Sequence, residues 1–307
     1  MQRLDCTGYL AADERVERVT ETLTGVTAVH GRLVLAAGPV QACPWAQNVW
    51  LEPQRLQVKS IGDAVRQLCA VQRNWWPYAF TLHRRAELTR AQLPFVAAKP
   101  LRFPEPPPQA PLGSFTWLSD TEIVCSPRCS SPFPNGEPRF VEFREHEGPP
   151  SRAYLKLFEA LTLLGGAPQP GQRCLELGAS PGGWTWVLAS LGAQVLAVDR
   201  APLAPNVAAM PNVEMLQGNA FTATPEHVGP VDWLFSDVIC YPEKLYRFVR
   251  LWLDAGACRN FVCTLKFQGA EHYGAIGQFA SLPGSRVLHL FHNRHELTWL
   301  CLPPIAG

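Results

Sequence analysis

From residue 173 onward, apolar runs of strand length alternate with helix-length stretches, and this alternation constrains the fold more than any other feature of the chain. Strands are expected at 173–178, 194–199, 213–216, 231–236 and 260–266, and helices at 182–190, 242–254 and 271–281. Two consecutive strands, 285–292 and 295–302, then close the chain around a tight turn at Asn293-Arg294. Strands joined through helices run parallel. The pattern therefore predicts an α/β fold with a mainly parallel sheet, helices on both faces and an antiparallel last strand. Ahead of it, Ser151 is placed to cap a helix from Arg152 to about Leu164, which Gly165-Gly166 would end.

In such sheets ligands bind outside the C-terminal strand ends, where the winding reverses. The first strand runs there into Gly178-Ala179-Ser180-Pro181-Gly182-Gly183. Glycine lacks the Cβ that would hold a ligand off the backbone. Asp199 ends the second strand about twenty residues on, where a carboxylate can accept hydrogen bonds from both hydroxyls of a ribose. A dinucleotide site favours G-x-G-x-x-G, with the helix N-terminus facing a pyrophosphate. Here the spacing is G-x-x-x-G-G with a proline in the middle. It disfavours a nicotinamide-dependent oxidoreductase and favours a nucleoside with a non-phosphate tail. S-adenosylmethionine is such a ligand.

The same rim collects charge. Asp237 ends the fourth strand and Lys266 the fifth. Glu296 begins the antiparallel last strand, which puts it at the same edge, and Lys156 sits one turn into the helix before the first strand. Four such groups beside a ligand turn predict a working site rather than scattered surface ions.

The rest of the chain has a different character. The proline-rich stretches 104-PEPPPQAP-111, 126-SPRCSSPFPNGEPR-139 and Gly148-Pro149-Pro150 predict a connector with loops over 105–150. They leave a smaller α+β domain at 1–104 and the α/β domain at 151–307. Residues 53–104 carry nine Lys/Arg against Asp63 and Glu87, a balance of +7, interleaved with Trp75, Trp76, Tyr78, Phe80 and His83. Cations neutralise phosphates and flat rings stack on unpaired bases, so the segment has what RNA contact requires, while taken alone it reads at least as well as a solvated helix face with a few core aromatics. Residues 151–307 hold eleven charges of each sign and offer phosphates little long-range attraction.

No uncharged apolar run reaches the roughly 18 residues of a membrane span. The N-terminus carries acids and arginines where an export signal would be apolar, so a soluble, cytoplasmic protein is expected. Among ten cysteines the close pair is Cys125 and Cys129, and no second Cys/His pair stands near to complete a zinc site. His289, His292 and His295 would be split between the two faces of a strand. No metal is expected.

These residues resemble a known family. The stretch 151-SRAYLKLFEA-160, the turn GASPGGW, Asp237, Lys266 and Glu296 are similar to the Lys-Asp-Lys-Glu tetrad and cofactor loop of the FtsJ-like 2′-O-ribose RNA methyltransferases. The segments 131-SPFPNGEPRF-140, 149-PPSRAYLKLFEA-160, 257-ACRNFVCTLKF-267 and 290-LFHNRHELTWLCL-302 resemble its RlmM-type branch, which methylates a cytidine ribose in bacterial large-subunit rRNA. The resemblance covers about 126–302. It implies a Rossmann-like class I methyltransferase sheet, S-adenosyl-L-methionine as cofactor, rRNA as substrate, and a shortened ferredoxin/THUMP-like, RNA-binding part at 1–104.

The resemblance also implies site residues. The catalytic set is Lys156, Asp237, Lys266 and Glu296, with Lys266 as general base. The cofactor set is Ser151, Gly178, Ser180, Pro181, Gly182, Gly183, Trp184, Asp199, Asn219 and Asp237. A 2′-hydroxyl must lose its proton as the methyl arrives, and a lysine can take that proton only as the neutral amine. Burial beside another cation, here Lys156, favours that form. The family commonly places an acid for the adenine amino group where this chain has Asn219, whose side-chain oxygen can still accept. The rival reading, a scaffold that keeps the fold without catalysis, is disfavoured by the complete tetrad.

Overall fold

In the computed structural model, which describes residues 2–144 and 148–302, the alternating segment folds into a seven-stranded sheet. Met1 and residues 145–147 and 303–307, which belong to the three expected segments, lie outside that description. The strands are β1 (Arg173–Leu177), β2 (Gln194–Asp199), β3 (Val213–Gln217), β4 (Trp233–Ser236), β5 (Asn260–Lys266), β6 (Ser285–Leu288) and β7 (Glu296–Cys301). Their order is β3-β2-β1-β4-β5-β7-β6. The first five are parallel, and β7 runs antiparallel between β5 and β6. The central strands are apolar without alternation because both faces are covered: Leu175, Leu177, Leu234, Phe235, Phe261, Val262 and Leu265 are all buried. The winding reverses between β1 and β4, and the C-terminal ends of those strands therefore form the crevice.

The principal helices of this part are α1 (Tyr154–Leu164), α2 (Gly183–Ser190), α3 (Pro242–Asp254) and α4 (Gly274–Ala280). Helix α1 packs on α2, and α3 on α4. Gly165 ends α1 at φ 72°, as expected of a left-handed cap. Ser151 does not cap it. The first turn instead closes through backbone bonds from Leu155 to Arg152 and from Lys156 to Ala153, and Ser151 Oγ packs against Gly183, where a Cβ would come within 2.5 Å of it.

The closing hairpin is also looser than expected. Its strands stop at Leu288 and restart at Glu296, so His289, His292 and His295 lie on or beside a loop and not along a pleat. The Asn293 carboxamide organises that loop. Its oxygen accepts from Leu290 N and Thr298 Oγ1, both at 3.1 Å, and its nitrogen donates to Glu296 O at 3.0 Å.

The chain divides into two compact units, one of residues 1–101 with 107–139 and one of 102–106 with 140–307. Phe103 belongs with the second unit, its ring stacked on Phe158 at 4.1 Å. The first unit holds two sheets. One is four-stranded, in the order Val26–His30, Leu33–Ala37, Cys6–Ala11, Ala46–Trp50. The other is five-stranded, in the order Gln2–Arg3, Gln54–Gln57, Glu122–Ser126, Gly113–Ser119, Trp75–Pro77. Helices Ile61–Val71 and His83–Gln92 pack on each other. Leu56, Leu68, Trp75, Phe115 and Trp117 form part of one buried cluster.

The segment expected to be only connector and loops thus contributes two central strands. Their apolar, β-rich runs, 113-GSFTWLS-119 and 122-EIVCS-126, sit between proline-rich stretches. Trp75 is a core residue whose indole N–H donates to Leu68 O and Gln72 O, so only Trp76 of that pair can meet a ligand.

Candidate active site

Each predicted acid–base residue stands at a strand or helix end on one rim of the seven-stranded sheet. Lys266 is the last residue of β5 and pairs in register with Glu296, the first of β7. Asp237 follows β4 directly, with its backbone N–H on Leu177 O at the end of β1. Lys156 comes from the first turn of α1. The structure brings the four together as an alternating chain of charge. Lys156 Nζ lies 2.8 Å from Glu296 Oε1 and 3.3 Å from Asp237 Oδ1, and Lys266 Nζ lies 3.1 Å from the same Asp237 oxygen. Lys266 also donates to the Asp237 carbonyl.

Burial distinguishes the two amines. The Lys156 side chain is 9% exposed, whereas that of Lys266 is 24% exposed. Burial opposes ionisation of Asp237, but Lys156 and Lys266 outweigh it and hold its pKa below the ordinary carboxylate value. Glu296 follows the same rule, with burial overcome chiefly by Lys156. Two cations and two anions form a compact set with no net charge, the arrangement in which buried ions persist.

A further buried acid holds this set in place. Glu159, three residues after Lys156 on α1, accepts from Phe291 N, His292 N and His292 Nδ1 at 2.7, 3.0 and 2.6 Å. It ties the loop before β7 to the helix that carries Lys156. Its sequence signal is a lone acid within the apolar run 154-YLKLFEALTLL-164.

Beside Asp237 and Lys266 lies a cavity of about 600 Å³. Of the expected cofactor residues, Gly178, Ser180, Asp199, Asn219 and Asp237 border it. Gly178 has φ +78°, and a Cβ there would approach Val238 Cα to 2.8 Å, so only glycine lets the turn pass the end of β4. Each Asp199 oxygen already accepts one backbone N–H at 3.0 Å, Oδ2 from Ser180 and Oδ1 from Ala201. Both retain capacity for a second donor. Asn219 caps a short 3-10 turn by accepting from Phe221 N at 3.2 Å.

Ser151, Pro181, Gly182, Gly183 and Trp184 do not border the cavity and instead shape the turn from behind. Trp184 is buried, its indole N–H donating to Ala153 O at 2.9 Å. Gly182 takes φ +112° against Val207, and the Pro181 carbonyl accepts from Ala204 N.

Several lining residues were not anticipated. The loop Val238-Ile239-Cys240-Tyr241 forms one lip, with Ile239 78% exposed. Lys244 Nζ lies 4.1 Å from the Phe221 ring centre at the same cavity. Nothing in the local pattern marked 238–241 beyond its following a strand end. Glu176 was also missed. It lies within β1, fully buried, and accepts from Thr185 Oγ1 at 2.7 Å.

Similarity to known proteins agrees with this geometry. Residues 149–252 match the FtsJ-like methyltransferase family. A ribosomal RNA large subunit methyltransferase M of Aromatoleum aromaticum is 32% identical over 289 residues, 84% of this chain and 76% of that protein. The chain belongs to that methyltransferase family. The corresponding protein of Alkalilimnicola ehrlichii is 36% identical over 208 residues, 62% of this chain but 56% of its own length. In several such relatives the matched region spans 50 to 56% of the protein, about half its length. A solved fibrillarin from Aeropyrum pernix is 20% identical, covering 61% of this chain and 81% of its own, with a TM-score of 0.37. Among the described residues no helix is long and apolar enough to cross a membrane.

Proposed function

We propose that the chain transfers a methyl group from S-adenosyl-L-methionine to a ribose 2′-hydroxyl of large-subunit rRNA, with Lys266 as general base. The observation that carries this reading is the Lys156–Asp237–Lys266–Glu296 cluster, closed by contacts of 2.8 to 3.3 Å, beside the cavity of about 600 Å³.

The cavity suits the cofactor. Its volume is that of a small-molecule site, Asp199 offers carboxylate acceptors for ribose hydroxyls, and Asn219 supplies an amide at the same wall. When bound, S-adenosylmethionine supplies a positively charged sulfonium whose methyl an oxygen nucleophile can take in line.

The chain's residues do the rest. To act as base Lys266 must first release its ammonium proton to solvent, after which the amine has two N–H groups and one lone pair. The Asp237 carboxylate and carbonyl engage the two N–H groups, and the lone pair is left for the hydroxyl proton. Asp237 thereby fixes the amine's direction. Lys156 and Glu296 are more buried and lie outside the cavity lining, and they act through Asp237. We further propose that the N-terminal unit, which contains residues 53–101 of the basic segment with eight Lys/Arg against Asp63 and Glu87, holds the RNA. The cofactor part is tested by equilibrium dialysis with labelled S-adenosylmethionine and, in parallel, NAD. Saturable binding of the first alone supports it, and preference for NAD refutes it. Mapping methylated riboses in RNA from cells with and without the gene tests the substrate.

A further inference from the structure

A second cavity, of about 440 Å³, lies wholly within the N-terminal unit. We infer that it takes one unpaired nucleotide of the RNA substrate, its base stacked on aromatic and guanidinium surfaces and its phosphate held by Lys99 and Arg139. The inference rests on the RNA reading above and adds to it a built site.

The lining supplies the two features such recognition requires. Flat surface comes from Trp76, half buried and overlain by the Arg90 guanidinium 4.0 Å from its ring centre, and from Phe95, which is 82% exposed. A guanidinium plane stacks on a base as an aromatic ring does. Phe95 makes no ring contact among the described residues. Charge comes from Arg90, Lys99 and Arg139. Lys99 and Arg139 have no side-chain partner among the described residues, while Arg90 has Glu87 at 3.7 Å. The acid in the lining, Glu137, is neutralised by Arg32 at 3.2 Å. Two unpaired cations and an exposed ring around a concavity of ligand size are more than a solvated face needs. A duplex, with its bases stacked inside, could touch only the rim.

The test uses the full-length chain and a fluorescein-labelled, unstructured single-stranded RNA, with a perfectly paired duplex of the same sequence as comparison. The single strand should bind more tightly. Phe95→Ala should weaken that binding at least about fivefold, with little effect on the duplex and none on the melting temperature, because the ring is exposed. Arg90→Lys, which keeps the charge but loses the plane, should weaken it as well. Replacing Lys99 and Arg139 together by alanine should lower the log–log salt slope by about 0.7, the one single-strand phosphate that the two cations hold. S-adenosylmethionine binding, measured on the same variants, should not change. If Phe95→Ala and the double variant bind the single strand like the wild type while methyl transfer to rRNA persists, the cavity assignment is wrong and the methyltransferase reading stands. Wild-type protein that binds the duplex as tightly as the single strand also overturns the assignment. An absence of both RNA binding and methyl transfer removes the assignment and the broader reading together.

Discussion

The Glu176→Gln variant should become progressively more stable than the wild type as pH rises. Glu176 is fully buried in β1, two residues before Gly178, which borders the cavity of about 600 Å³. Burial raises its pKa from 4.5 to about 8, against the Thr185 hydrogen bond and with help from the charges of Asp237 and Asp199. An acid whose folded pKa lies above its unfolded value is a group the folded state prefers neutral. Its cost is absent below the unfolded pKa and grows as pH rises toward the folded one. Between pH 4.5 and about 8 the wild type should therefore lose about 1.4 kcal/mol per pH unit from this residue, some 4 to 5 kcal/mol in total. Glutamine cannot ionise, and its side-chain oxygen can still accept from Thr185 Oγ1. Guanidinium unfolding of both proteins in matched buffers, followed by near-ultraviolet circular dichroism, reads the difference directly. The gap should widen across the range and level off above it. A constant gap would mean that Glu176 titrates like an exposed acid, and would refute the inference that a neutral carboxyl underlies the turn.

Other expectations follow from the same geometry. Asp199→Ala should weaken S-adenosylmethionine by about 2–4 kcal/mol in calorimetry and also loosen the turn, since two backbone N–H groups lose their acceptor; unchanged affinity would contradict its place at the ribose. Gly178→Ala should cost about 2–4 kcal/mol of stability, because a left-handed conformation and a Cβ 2.8 Å from the Val238 backbone act together; a melting temperature equal to the wild type would show that the turn can relax. Arg84 and Arg85 should separate: exposed Arg84→Ala should reduce the salt slope of RNA binding by about 0.7–0.9, whereas Arg85→Ala should lower stability by about 1 kcal/mol, because its guanidinium lies 4.6 Å over Trp117 and bonds Asp120.

The sheet was legible because a parallel sheet covered on both faces writes itself as largely apolar runs: six of the seven strands fall within the expected segments, and β3 runs one residue past its segment, to Gln217. The clustering of the four charged groups was legible because strand ends are fixed by the same runs, so Asp237, Lys266 and Glu296 could be placed on one rim before any side chain was seen. Side-chain competition for backbone groups was not legible. Asn293 takes up Leu290 N and shortens β6, and the first turn of α1 closes without Ser151. The strands at 113–119 and 122–126 were hidden because prolines on either side of them read as one irregular segment, although the pairing partners at 54–57 and 75–77 lie far away in the chain. A glycine that borders a cavity, as Gly178 does, and one that packs against Val207 or Ser151, as Gly182 and Gly183 do, look alike in sequence.

The most direct test of the account is single-turnover methyl transfer to rRNA by the wild type, Lys266→Ala and Lys266→Arg, with the modified site located by resistance of the adjoining linkage to alkali. A methyl on the 2′-oxygen removes the nucleophile that alkali needs, so the linkage survives. A resistant linkage is expected with the wild type and no transfer by either variant, with S-adenosylmethionine bound to all three by calorimetry. Arginine fails because a guanidinium remains protonated at any relevant pH. Transfer by Lys266→Arg at a rate near that of the wild type, or a methyl group located on a base rather than a ribose, would contradict the account.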